Sequence, residues 1–193
     1  MKVLAVAILK NGSEPVVVAQ AQDLSQFGFF EKKGVREMLT FFTKTVVKRI
    51  KAGQRMTVEV EDMAEYQVHA FVRADGLSAT ATADKEYPTR AAFALLGQIL
   101  DDYAGKMDAR GDAPEYPIEA ILAKAQDPAN FDKITKIQQD LDDTTQVLHQ
   151  TIDNLLERGE KLDNLVERSD DLSKQSKMFY KQARKTNSCC VIA

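Results

Sequence analysis

The chain has 193 residues, 44% of them hydrophobic and 28% charged, with a formal net charge of −3. This is an ordinary globular mixture, long enough for one domain and an extended element. Its charge argues against nucleic acid as a partner, because phosphate binding needs a basic face, and nowhere do about 18 apolar residues run together as a transmembrane helix requires.

The opening run MKVLAVAILK is short, is broken by Lys10 and then Glu14, and lacks a small-residue cleavage site. It reads as the first strand of a cytosolic domain rather than as a leader. Segments 2–10 and 15–22 are expected as two strands joined through the hairpin signal Asn11-Gly12. The first is apolar on both faces, which suits a central strand covered from both sides. Val35, Met38, Leu39, Phe42, Val46 and Ile50 then recur at spacings mostly of three and four, predicting an amphipathic helix with one buried stripe. A step of about 100° per residue puts Phe41 outside that stripe, beside Glu37, Lys44 and Lys48.

Met56, Val58 and Val60, then Val68, Ala70 and Val72, then Leu77, Ala79, Ala81 and Ala83 alternate with their neighbours, the period of a strand. Asp75-Gly76 between the last two runs marks a second hairpin. After Tyr87-Pro88, with Thr89 as the expected N-cap, Ala92, Leu95, Leu96, Ile99, Leu100 and Tyr103 repeat the helical stripe. A loop with Gly111, Pro114 and Pro117 leads to a short helix over 118–124. The order predicts an α+β domain over residues 1–124, with helices flanking a central antiparallel sheet.

Residues 125–132 are small and polar with one proline, a linker by composition. From Ile134 the period becomes seven. Ile134, Ile137, Leu141, Thr144, Leu148, Thr151, Leu155, Arg158, Leu162, Leu165, Ser169, Leu172, Ser176, Phe179, Ala183 and Thr186 follow at alternating steps of three and four. Such spacing argues for one long coiled-coil helix over 133–187. Thr144, Thr151, Ser169 and Ser176 weaken the seam, so the helix is expected to stay partly disordered until partners arrive. Arg158 stands where an apolar residue belongs. Either it snorkels from a loose dimer, or it fixes register against acceptors on partner helices, because an unpaired buried guanidinium is costly.

Beyond Leu172 the charged side chains are all basic: Lys174, Lys177, Lys181, Arg184 and Lys185. They suit both the C-terminal end of a helix dipole and an anionic lipid surface. Cys190-Val191-Ile192-Ala193 fits C-a-a-X, which predicts farnesylation of Cys190 and loss of the last three residues from a lipidated tail over 188–193. One lipid holds a protein only marginally, so Cys189 is the expected second site, palmitoylated or prenylated. These are the only two cysteines, so the folded body has no possible disulfide. His69 and His149 are far apart in sequence, no phosphate-binding loop of the G-x-x-x-x-G-K-[ST] kind occurs, and no nucleophile–base set converges. No catalytic residue, metal site or cofactor beyond covalent lipid is expected.

The stretch LLERGEKLDNLVERSDDL around Arg158 resembles the central region of an R-SNARE motif, and DKEYPTRAAFALL resembles the strand-to-helix junction of a longin (profilin-like) domain. With the terminal cysteine pair, the whole chain resembles the prenylated longin-type R-SNAREs. That resemblance implies vesicle docking and fusion, with Arg158 as the ionic layer facing glutamines from three Q-SNARE helices and the other seam residues as packing layers. It also implies methyl-esterification of the farnesylated Cys190, and a groove at the first helix, here with Phe41 and Phe42, that receives the SNARE segment or lipid in an autoinhibited state. The expected location is the cytoplasm, cycling to the cytosolic face of Golgi, endoplasmic reticulum, vesicle or endosomal membranes. The competing reading is a prenylated coiled-coil scaffold or tether that self-associates without driving fusion. The 104–117 loop matches the family least and implies no role.

Overall fold

The computed structural model describes residues 2–60, 63, 65–108, 111–132 and 147–188. Strand β1 (Val3–Lys10) lies between β2 (Val16–Gln22) and, on its other side, the later strand Leu77–Asp84, antiparallel to both. Every residue from Val3 to Leu9 is buried, as a strand apolar on both faces requires. Beyond it β3 (Arg55–Glu59) pairs antiparallel with β4 (Tyr66–Val72), and β4 with Leu77–Asp84, which is β5. The β4–β5 turn uses Gly76 at φ +88, a conformation cheap only for glycine, and Asp75 Oδ1 accepts the Leu77 amide at 3.1 Å.

Two helices sandwich this sheet. Helix α1 (Lys32–Arg49) sets Met38, Phe42 and Val46 against Ala7, Leu9, Val58, Val68 and Ala70. Helix α2 (Thr89–Lys106) packs Leu95, Leu96, Ile99 and Leu100 on the opposite face, where Ala79, Ala81 and Ala83 of β5 let it approach closely. Each fully buried leucine there is worth about 1.5–3 kcal/mol relative to exposure. Thr89 is not the cap the sequence suggested: Pro88 holds that position at ψ 122, and its carbonyl accepts the Ala92 amide at 3.0 Å. Helix α3 (Ile118–Ala125) closes the α2 face.

Residues 125–132, read from sequence as a linker, belong to the packed body. A turn of helix α4 (Ala129–Asp132) follows Asp127, whose Oδ1 accepts the Ala129 amide at 3.0 Å, and Phe131 is buried in the α2-side core. Gln126 clamps Val3, donating to its carbonyl at 2.8 Å and accepting its amide at 3.2 Å.

The larger departure is the C-terminal segment. Its described part is not one continuous helix: strand β6 (Val147–Thr151) is followed by α5 (Ile152–Leu155), α6 (Leu162–Arg168) and α7 (Lys174–Ser188). Strand β6 adds parallel to the edge of β3, giving a six-stranded mixed sheet in the order β2-β1-β5-β4-β3-β6. A lone seam cannot bury itself, whereas the edge of β3 and the outer side of α1 offer unpaired backbone and apolar surface. The α+β class is as expected from sequence; the wholly antiparallel sheet is not.

Candidate functional site

The site is the surface of α1 and β3 covered by the C-terminal segment. In β6, Val147, Leu148 and His149 oppose Arg55, Met56 and Thr57. Thr151 ends the strand and caps α5, its Oγ1 accepting the Asn154 amide at 3.4 Å. Ile152 and Leu156 then enter the cluster of Phe41, Phe42, Val46, Val47 and Ile50. Phe41, which helical periodicity placed off the buried stripe, is only 8% exposed, with its ring edge-on to Phe42 at 5.7 Å.

The chain turns at Gly159, φ +94, where Arg49 Nη2 donates to Glu160 Oε2 at 2.8 Å. That hydrogen bond, with the Glu157 amide and the Arg49 charge behind it, holds the Glu160 carboxyl below the usual glutamate range. Leu162 and Val166 of α6 are buried, as are Leu172, Ser176 and Tyr180. Lys44 pairs with Asp171 at 2.7 Å. Glu37 binds the next turn: its Oε2 accepts the Ser173 amide at 2.8 Å and the Ser176 hydroxyl at 2.6 Å. Burial alone would raise the Glu37 pKa, but the bonds from Ser176 and Ser173 outweigh it and hold the pKa down. Phe179 lies against Gly34, where a Cβ would come within 3.3 Å of it. Helix α7 also meets α6, through Tyr180 Oη donating to Asp163 at 3.0 Å and Lys181 paired with Glu167 at 2.7 Å.

A cleft of about 520 Å³ remains between α1 and the 157–171 stretch, lined by Phe41, Lys44, Lys48, Arg49, Glu160 and Leu165 among others. Its charged walls suit water and ions better than a buried apolar ligand. His69 of β4 faces the α2 side of the sheet, fully buried, with Nδ1 3.0 Å from the Thr57 hydroxyl and its ring edge-on to Phe93 at 5.5 Å. Burial, then the neighbouring His149, push its pKa down to about 4, the behaviour of a neutral core histidine. Among the described residues no His, Cys, Asp and Glu side chains group as a metal site, and no described helix is long and apolar enough to cross a membrane.

The expected seam residues divide by environment. Leu162, Leu172 and Ser176 are buried; Leu148, Thr151, Leu155, Leu165, Ser169, Phe179 and Ala183 are half-buried; Arg158 is exposed. Ile134, Ile137, Leu141 and Thr144, the side chain of Thr186, and the cysteines Cys189 and Cys190 lie outside the described residues. Four docking residues were missed from sequence: Ile152, Leu156, Val166 and Tyr180, each one position after a half-buried seam residue. Their signal was present as an apolar row outside the heptad seam. Glu37, the polar anchor, gave none.

Comparison with known proteins covers both halves. The family model described as Synaptobrevin matches residues 133–192, and the longin model, described as a regulated-SNARE-like domain, matches 24–125. The chain is 47% identical over 202 residues to "Synaptobrevin homolog YKT6" of Eremothecium gossypii, with all of both chains covered. It is 46% identical over 200 residues to "Synaptobrevin homolog ykt6" of Schizosaccharomyces pombe, again covering 100% of each. "VAMP-like protein YKT61" of Arabidopsis thaliana is 48% identical over 204 residues, with the same full coverage.

Proposed function

The chain belongs to the longin-type R-SNAREs, which act in vesicle fusion, and on that footing we propose that its C-terminal segment alternates between two burial partners. In the closed form it lies on α1 and β3. In the open form residues 133–187 become one helix of a parallel four-helix bundle with three Q-SNARE helices. Arg158 then forms the ionic layer, its five donors meeting side-chain carbonyl acceptors of the partners. The seam from Ile134 to Thr186 supplies the packing layers. Zippering from the N-terminal layers toward the tail draws two membranes together. A farnesyl thioether on Cys190, later methyl-esterified, and a palmitoyl or second prenyl group on Cys189 hold the chain on the cytosolic face of Golgi, endoplasmic reticulum or vesicle membranes.

The observation that carries this reading is the exposure of Arg158 in the closed form, while Ile152, Leu156, Val166 and Tyr180 are buried. A seam arginine kept in water costs nothing there, and its place in the heptad fits partners that bring acceptors to it. The two forms are exclusive, because β6 and the turn at Gly159 cannot coexist with a straight helix through the same residues. The test is to mix the full chain with candidate Q-SNARE helices and look for a heat-resistant complex. Arg158→Ala should weaken that complex while leaving the free chain as compact as before. A chain that only forms homodimers, indifferent to Arg158, would instead be a scaffold.

A further inference from the structure

The turn before α1 carries two aromatic side chains that the fold leaves uncovered: Phe29 is 84% and Phe30 82% exposed. Their rings meet edge to face at 5.5 Å. The turn is firmly built. Gly28 accepts the amides of Glu31 and Lys32 at 3.0 and 3.1 Å, and Glu31 Oε2 accepts the Gly28 amide at 2.9 Å. Phe27 is packed beneath, in the cluster of Leu24, Val35, Leu39 and Phe179. The phenyl rings are therefore held outward by a backbone that is fixed, so their exposure is a property of the fold.

The surroundings indicate what they meet. Gln175 Nε2 donates to the Phe30 carbonyl at 3.2 Å, which brings α7 alongside. One turn further on the same helix, Met178 is 65% exposed. Lys174 and Lys181 lie one turn before and one turn after Met178 on α7, and Lys33 lies in the first turn of α1; all three are exposed, Lys33 pairing with Glu37 at 3.9 Å and Lys181 with Glu167 at 2.7 Å. The acidic groups nearby are engaged: Glu31 with the Gly28 amide, Glu37 with Ser173 and Ser176, Glu167 with Lys181, and Asp163 with Arg184. Protein interfaces are depleted of lysine, whereas aromatic side chains rimmed by lysine are the pattern of a surface lying at a lipid headgroup boundary.

We propose that Phe29 and Phe30, with Met178 and the lysines beside them, form a wedge that enters the interfacial zone of an anionic bilayer. None of the three is covered by the closed C-terminal segment, so the closed form can engage a membrane before it opens. The wedge stands beside the helix that ends at Ser188, next to Cys189, and it would supply a second contact where one lipid chain alone is marginal. Only that last point rests on the lipid-anchor reading.

The chain has no tryptophan, so Phe30→Trp gives a sole indole at the wedge. With the unlipidated full chain and vesicles of equimolar phosphatidylcholine and phosphatidylserine, its emission should shift to the blue and be quenched by brominated acyl chains. Phosphatidylcholine alone should give less. Phe29→Ser with Phe30→Ser, both exposed and so harmless to the fold, should weaken vesicle binding about tenfold, or 1.4 kcal/mol. An indole unmoved by anionic vesicles, or equal binding by the double variant, would overturn the proposal. So would capture of a protein through Phe29 and Phe30 while the indole stays unmoved. The outcome is independent of prenylation: a quenched indole with no gain on farnesylating Cys190 would sink the anchor reading alone.

Discussion

Replacing Phe41 with glutamate should release the C-terminal segment while leaving the sheet domain folded. Phe41 is 8% exposed, within the cluster that Ile152, Leu156, Leu162 and Val166 complete, and it lies on the outer side of α1, away from the stripe facing β4. Burying a phenylalanine side chain is worth about 1.5–3 kcal/mol, and most of that depends here on the segment staying in place. A carboxylate adds a desolvation cost, which Lys44, Lys48 and Arg49 around the cleft partly offset. A net loss of about 2–3 kcal/mol shifts the closed-to-open ratio by roughly thirty- to a hundred-and-fiftyfold. Amide hydrogen exchange across 147–151 reads this directly, because the alternate amides that bond to β3 are protected only while that pairing holds. Small-angle scattering should show an expanded chain, with Arg158→Ala as the control that stays compact. If the β6 amides of Phe41→Glu exchange no faster than wild type and the scattering is unchanged, Phe41 does not hold the segment.

Glu37→Ala removes the acceptor shared by the Ser173 amide and the Ser176 hydroxyl, and should cost closure about 2 kcal/mol, seen as faster exchange in α7 than in α2. Because the folded Glu37 pKa is lowered, its contribution is present above the ordinary glutamate value and disappears as pH falls through the lowered one. His69, held near a pKa of about 4, is neutral in the fold while the unfolded chain takes up its proton near pH 6.5. Stability is thus complete above about pH 6.5 and falls by about 3 kcal/mol toward pH 4; urea unfolding of His69→Gln should lack this part of the acid loss. Gly159→Ala should act on both states at once: alanine resists φ +94 by about 1–2 kcal/mol and favours a continuous helix by about 1. With nothing within 4 Å of the added Cβ, the expected result is faster assembly with Q-SNARE helices and faster β6 exchange; an unchanged assembly rate would show that the turn does not hold the helix apart.

Much of the sheet domain could be read from period alone, because alternation and the three-four stripe are imposed by burial on fixed faces. The apolar-on-both-sides β1 marked its central place, and Asp75-Gly76 marked its turn, for reasons carried by the residues themselves. What escaped was conditional on distant partners. Thr89 looked like a cap, but Pro88 already presented its carbonyl there. The 125–132 stretch looked like a linker because one buried ring, Phe131, and the Gln126 clamp on Val3 do not show in composition. Phe41 was placed off the stripe correctly for α1 against the sheet; the surface that covers it comes from residues 111 to 139 positions later in the chain, Ile152 to Tyr180.

The same conditionality explains the segment's two readings. The heptad seam is the row proposed for the bundle, and Thr151, Leu155, Leu165 and Phe179 lie on it. In the closed form each is half-buried, and its successor, Ile152, Leu156, Val166 or Tyr180, turns inward instead. A shift of one position rotates the buried face of a helix by about 100°. No straight helix could present both rows to one surface, so the closed form breaks into strand and short helices with turns between them. Leu162, Leu172 and Ser176 lie on the seam and are also buried in the closed form, and in the proposed bundle Ser176 carries the conflict most plainly. As a seam residue it weakens the bundle; on α1 its hydroxyl finds the Glu37 carboxylate at 2.6 Å. A leucine there would strengthen the bundle and leave Glu37 buried against an apolar side chain. On the proposed bundle reading, Ser176 therefore has a physical reason within this chain: it gives up packing in the seam and gains the Glu37 carboxylate on the longin surface.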